Sequence, residues 1–243
     1  MDLPELKIGH LLAKVPIVQG GMGVGISLSS LAGNVALNGG IGVISAVEIG
    51  FNEPDYLTNK VEANLRALRW HIKKARDISK GGILGINIMV ALNNFEQMVV
   101  EAVKEKIDII FSGAGLPLKL PKYTKGSDTK IVPIVSSGRA AEVICKNWHK
   151  NYGVAPDAIV VEGPLAGGHL GFKEEEIYKP SFQLHQLIKD VLVAIKPFEA
   201  IYNRKIPVIA AGGIFSGRDI AEFMHLGAAG VQMATRFVAT HEC

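Results

Sequence analysis

Cysteine is scarce in this sequence: Cys145 and Cys243 are the only two in 243 residues. Two thiols so far apart make neither a disulfide framework nor a thiolate metal site. A reducing, cytoplasmic setting is therefore expected, and no metal. An excess of either charge is also lacking, since 26 basic residues stand against 23 acidic ones. That balance argues against a nucleic-acid or membrane-surface partner. No apolar run approaches the roughly 20 residues a membrane-spanning helix needs. Met1 to His10 carries acids and a proline, and no apolar stretch of signal-peptide length. At 48% hydrophobic and 20% charged, the chain is not in the disordered class.

What is abundant is glycine, and its placement is regular. Apolar runs near 16–19, 41–47, 83–90, 108–112, 130–135, 158–161, 207–211 and 230–237 read as strands, and most run into glycine. Between them lie helical patterns. In 59–79, Val61, Leu65, Leu68, Ile72 and Ala75 form one stripe. Ser27, Ser137 and Ser181 stand where helix caps are expected. Ser29, Ala32, Gly33 and Ala36 give the first helix a small face for close packing. Residues 116–129 read as loop with a short helix, and Pro197 as a kink or stop near the end of a long helix. His71 and His149 read as packing or helix-end residues.

Eight apolar strands without alternation, separated by helices, fit a parallel α/β barrel of the TIM (β/α)8 type covering 1–243. An open doubly wound sheet is the competitor, because Gly20-Gly21-Met22-Gly23-Val24-Gly25 is superficially a dinucleotide fingerprint. Glycines after many strands favour a barrel mouth.

Three segments carry chemistry. Val160 to Phe172 leaves a strand into a loop with four glycines and one titratable histidine, His169. That is a reaction centre or a surface turn. Asn87 sits inside an apolar strand, where its amide must pair with neighbouring backbone or with a ligand at the mouth. Ala211-Gly212-Gly213, ahead of a helix near 218–226, offers backbone N–H groups and a positive helix end to an anion, with 230–236 as second wall. Two tight turns explain the same residues.

Taken together, Gln19 to Met22, Asn87 to Met89, Gly113 to Gly115, Glu162 to Gly171, Ala210 to Ile214 and Gln232 to Phe237 resemble the nitronate monooxygenase (2-nitropropane dioxygenase-like) family. The FMN-dependent enoyl-acyl-carrier-protein reductases look similar. The resemblance implies non-covalent FMN, with Gly21 and Met22 beside the ring. Asn87, Glu162, Gly167 and Gly168 would serve the ring and ribityl chain. Ala211, Gly212, Gly213, Gln232, Met233, Ala234 and Thr235 would hold the phosphate. His169 matches the catalytic histidine. The implied reaction is oxidation of alkyl nitronates, or nitroalkanes, by O2. NAD(P)H-dependent reduction of an enoyl thioester is the alternative, and non-catalytic flavin binding a further one. Outer helices commonly pair barrels, so a homodimer is an expectation.

Three departures from the resemblance carry expectations. The family continues past the eighth strand into a helix and lid, whereas this sequence stops at Cys243, so incomplete barrel and pocket closure is expected. Leu165 stands where relatives are polar or acidic and is expected to alter the pocket near His169. Ala234 replaces a common glycine and is expected to crowd the phosphate segment.

Overall fold

A computed structural model describes residues 4–243. Its elements, in chain order, begin with β1 (Leu6–Ile8), β2 (Leu11–Ala13), β3 (Ile17–Gln19), α1 (Ser29–Leu37), β4 (Gly42–Ser45) and α2 (Lys60–Ser79). Then come β5 (Leu84–Asn87), α3 (Phe95–Lys104), β6 (Ile109–Ser112), α4 (Leu120–Thr124), β7 (Lys130–Val135) and α5 (Gly138–Tyr152). The last six are β8 (Ile159–Glu162), α6 (Leu184–Tyr202), β9 (Val208–Ala211), α7 (Gly217–His225), β10 (Gly230–Met233) and α8 (Thr235–Val238).

β3 to β10 form one parallel sheet in the order β3-β10-β9-β8-β7-β6-β5-β4. The two end strands meet. Val18 bridges Ile41 in parallel, the Gln19 N–H donates to the Ile41 carbonyl at 2.9 Å, and the Ile41 N–H donates to that of Ile17 at 2.9 Å. The eight strands thus close into a TIM-type barrel, and the expectation of incomplete barrel closure is corrected: the closing contacts all lie between residues 17 and 41.

Strand residues alternate between two cores, as a period of two requires. Val43, Ile109, Phe111, Val132, Val160 and Ile209 fill the barrel interior, while Ile44, Ile110, Ile131, Ile159, Val161 and Val208 face the helices. Both faces are apolar, which is why the runs read as continuous rather than alternating.

The sequence reading omitted β1 and β2. They pair antiparallel, and Leu6, Ile8 and Ala13 are buried with the interior residues. This hairpin plugs the end of the barrel where the strands begin. Its segments are three residues each, too short for periodicity to register.

Some local expectations change. The eighth barrel strand stops at Met233, and the chain turns at Ala234 into the one-turn α8. Ser137 caps α5 by accepting from the Ala140 N–H at 3.1 Å. Ser27 does not cap α1, because its Oγ accepts from the Met22 N–H at 2.9 Å and from Gln19 Nε2 at 2.8 Å. Ser181 lies in a single 3-10 turn ahead of α6. Pro197 lies within α6, which continues to Tyr202. Val193, four residues earlier, is exposed, so water can take the carbonyl that Pro197 leaves without a donor.

Candidate active site

The ends of the parallel strands carry the mouth of the barrel. Asn87 and Glu162 close β5 and β8, and Gln232 is the last residue but one of β10. Each stands two residues beyond an interior position, Gly85, Val160 and Gly230, so each points into the mouth. None of the three side chains makes a protein hydrogen bond among the described residues. Of the two readings open for Asn87, pairing with neighbouring backbone is therefore not what the fold shows. Register links Glu162 to Ala211 and Ala211 to Gln232, giving one row across three adjacent strands.

Burial pushes the Glu162 carboxyl up to about 7, because the charged form loses water and gains no partner. Gln19, by contrast, is fully buried and satisfied: its Nε2 donates to Ser27 Oγ and its Oε1 accepts from the Val43 N–H at 3.0 Å. It fixes the loop that carries Gly21 and Met22.

Glycine is required at particular points of this rim. A Cβ on Gly21 would lie 2.5 Å from Asn87 Cβ. Gly212 and Gly213 have φ of 99° and 75°, and a Cβ on Gly212 would meet the Ala166 nitrogen at 2.8 Å. Gly167 and Gly168 face open space.

The helix expected near 218–226 is α7, and Asp219 in its first turn reaches back to the residues that precede it. Asp219 accepts from the Phe215 and Ser216 N–H groups at 2.9 and 2.7 Å, which holds its carboxyl below the usual carboxylate range. The Gly217 and Arg218 N–H groups that begin the helix take no part in this cap, so both the glycine turn and the helix end stay open to an anion. Arg236 stacks over the Phe215 ring at 4.7 Å. Met233 sends its side chain outward into the helix layer, so only its backbone faces the mouth. Ala234 has φ −128° and sits in its turn without left-handed strain. Thr235 is exposed at the start of α8.

His169 is exposed on the loop after β8 and lines a cleft of ≈ 400 Å³. Glu162 lines the same cleft, together with the segments that follow β5, β6 and β7. Leu165 does not. It is exposed and packs toward Gly213, so the expected change to the pocket near His169 is not made through this side chain. The mouth thus divides into two arcs. The His169 cleft lies over β5 to β8, and the glycine turns of 20–22 and 212–213, with the Met233-Ala234-Thr235 turn, lie over β3, β9 and β10. Asn87 and Glu162 stand at the two junctions. Sequence reasoning missed Ser136, which lines the cleft beside His169. The available signal was its position two residues beyond Ile134 on an inward-facing strand.

By fold the molecule is a TIM-type barrel, with glycine turns, unpaired amides and a histidine-bearing cleft gathered at its mouth. More specifically, the chain belongs to the nitronate monooxygenase family, whose model, described as Nitronate monooxygenase, matches residues 5–243. A probable nitronate monooxygenase of Staphylococcus saprophyticus is 27% identical over 274 residues, covering 100% of this chain and 70% of the relative. The (3aS,4S,5R,7aS)-5-hydroxy-7a-methyl-1-oxo-octahydro-1H-indene-4-carboxyl-CoA dehydrogenase of Rhodococcus jostii is 26% identical over 227 residues, covering 93% of this chain and 53% of that protein. The structure of FabK from Thermotoga maritima superposes with a TM-score of 0.71 at 30% identity, covering 94% of this chain and 60% of that one. The chain therefore spans about half the length of the Rhodococcus jostii relative. No helix among the described residues is long and apolar enough to cross a membrane, and no cluster of side chains among them could hold a metal.

Proposed function

We propose that this protein is an FMN-dependent oxidoreductase that oxidises alkyl nitronates, and nitroalkanes, with O2. The observation that carries the reading is the junction of the two arcs: His169 and Glu162 share a cleft, and Glu162 also ends the row that runs to the glycine turns. The residues suit a flat ring with a phosphate tail. The backbone at Gly21 runs where a Cβ would strike Asn87, Gly212 and Gly213 turn with positive φ, and Asn87 and Gln232 present unpaired amides.

When bound, the flavin supplies the electron-accepting chemistry. The protein groups handle the substrate. With a nitroalkane, His169 takes the proton from the carbon beside the nitro group and leaves the nitronate anion. With a nitronate the proton is already gone, and His169 faces and orients the anion. Glu162, held largely protonated below neutral pH, keeps a second negative charge out of the cleft. The apolar walls of Ala91, Ala114 and Leu116 exclude water from the alkyl part.

The test is a visible spectrum of the purified protein, followed by oxygen uptake with ethylnitronate without NADH. Flavin bands and uptake are expected. A colourless protein that cannot be reconstituted with FMN would overturn the cofactor. NADH-driven turnover of a crotonyl thioester without nitronate oxidation would replace the reaction with enoyl reduction, the reading supported by the FabK and CoA-ester relatives. Bound flavin with no turnover of either substrate would leave a non-catalytic flavin-binding protein.

A further inference from the structure

One polar group in the cleft has no role so far. β7 sends Val132 and Ile134 to the interior side, and Ser136, two residues on, follows the same alternation. The side chain lines the cleft with Glu162, His169 and Gly171. A Cβ on Gly171 would lie 2.6 Å from Ser136 Oγ. Glycine at 171 is thus what lets the His169 loop run directly across this hydroxyl. Register pairs Ile134 with Val160 and Val135 with Val161, and one further step brings Ser136 beside Glu162. Three groups that can handle a proton or a hydrogen bond therefore surround one small space.

The two neighbouring serines are used differently. Ser137 Oγ accepts from the Ala140 N–H and is committed to starting α5. Ser136 makes no hydrogen bond among the described residues, although it is half-buried. A half-buried hydroxyl with no protein partner, aimed into a cavity, is available to a ligand. It is a donor with no charge of its own, so it can serve an anion without needing a counterion. The start of α5 beside it adds a field of the same preference.

We propose that Ser136 determines substrate specificity in this cleft by donating a hydrogen bond to an oxygen of the substrate's anionic head. On the nitronate reading, on which the identity of that head rests, the acceptor is a nitronate oxygen. A neutral substrate of the same size gains less from the donor, because a hydrogen bond to a charged acceptor is roughly twice as strong.

Two measurements separate this inference from the reaction assigned above. Propionate, an unreactive planar anion with two oxygens, is titrated into the protein incubated with FMN and followed by ligand-observed NMR. Ethylnitronate then gives KM and kcat. Ser136→Ala is expected to weaken propionate binding and raise the ethylnitronate KM by about tenfold to a hundredfold. In the same variant kcat, the flavin spectrum and the melting temperature stay at wild-type values, and Ser136→Thr restores both binding and KM. Equal propionate affinity in wild type and Ser136→Ala overturns the inference, whether or not ethylnitronate is oxidised. Weakened propionate binding in a protein that takes up no oxygen upholds the inference and sinks nitronate oxidation. A Ser136→Thr protein as weak as Ser136→Ala also overturns it, because a hydroxyl donor would then be beside the point.

Discussion

Glu162 is a carboxylic acid at the end of an apolar strand, and burial alone raises it to about 7 from 4.5. As pH rises the unfolded chain loses this proton first, so folded stability falls between about pH 4.5 and 7 and is level beyond. Glu162→Gln is therefore expected to match wild type below pH 4.5 and to be more stable above pH 7, by at most roughly 3 kcal/mol. Thermal melting from pH 4 to 8 reads this as a widening gap; a gap constant with pH would mean ionisation is not the cause. The difference between the two proteins is the informative quantity. His71, lowered to about 4 by burial, titrates over the same range with the opposite sign. His71 stays neutral near pH 7 with Nδ1 3.0 Å from Ser29 Oγ, which fits its reading as a packing residue. His169→Ala is expected to lower kcat on nitroethane by about 10²–10⁴-fold and to leave the flavin spectrum in place, checked by steady-state kinetics beside absorbance. At this scale the sequence marked glycines and polar residues that the fold does bring to one mouth. It did not mark Ser136, although alternation from Val132 and Ile134 turns that position inward, because the serine beside it, Ser137, reads as a helix cap.

Between elements, the tightest packing is where α1 presses on the sheet. A Cβ on Gly42 would lie 1.8 Å from the Ala32 carbonyl oxygen, and one on Gly82 2.3 Å from that of Ala36. Gly33 on the same helix would place its Cβ 2.7 Å from Ile78 Cβ of α2. The small face read from Ser29, Ala32, Gly33 and Ala36 is thus a packing surface, with all four buried. Gly42→Ala is expected to cost about 3 kcal/mol, the upper end for an overpacked site, because backbone must move. Gly81→Ala, at φ 93° with no neighbour within 4 Å, is expected to cost only about 1–2 kcal/mol of left-handed strain. Urea midpoints measure both, and equal losses would show that α1 shifts away from the added methyl at little cost. Helices with long apolar stripes, such as α2, were legible because burial and periodicity coincide. Caps were less so. Ser27 has the residue type of a cap, yet Gln19 and Met22 claim its oxygen, and neither claim is visible locally.

Across the whole molecule, stability and chemistry are assigned to opposite ends of the barrel. Leu6 and Ile8 are fully buried at the end where strands begin, and Gly230 approaches the Leu6 side chain there: a Cβ on it would lie 3.1 Å from Leu6 Cδ2. The cleft lies where strands finish. The barrel itself was legible because eight apolar runs need two buried faces. Its closure was not, since that depends on a bridge between Val18 and Ile41, which are separated by α1 in the chain. The plug was not legible either, because two three-residue strands have no period to detect. This division makes a prediction. Leu6→Ala or Ile8→Ala is expected to lower stability by about 2–5 kcal/mol each, through lost burial and the cavity left behind. The side chains that reach the cleft come from the far ends of the strands, and packed interior layers lie between. Activity measured well below the melting temperature is therefore expected to stay within about twofold of wild type, given that sites without shared partners behave independently. Denaturant unfolding and nitronate turnover on the same preparations decide the point. If kcat fell in proportion to stability, the interior layers would be transmitting strain along the barrel, and the plug would have to be counted as part of the catalytic apparatus.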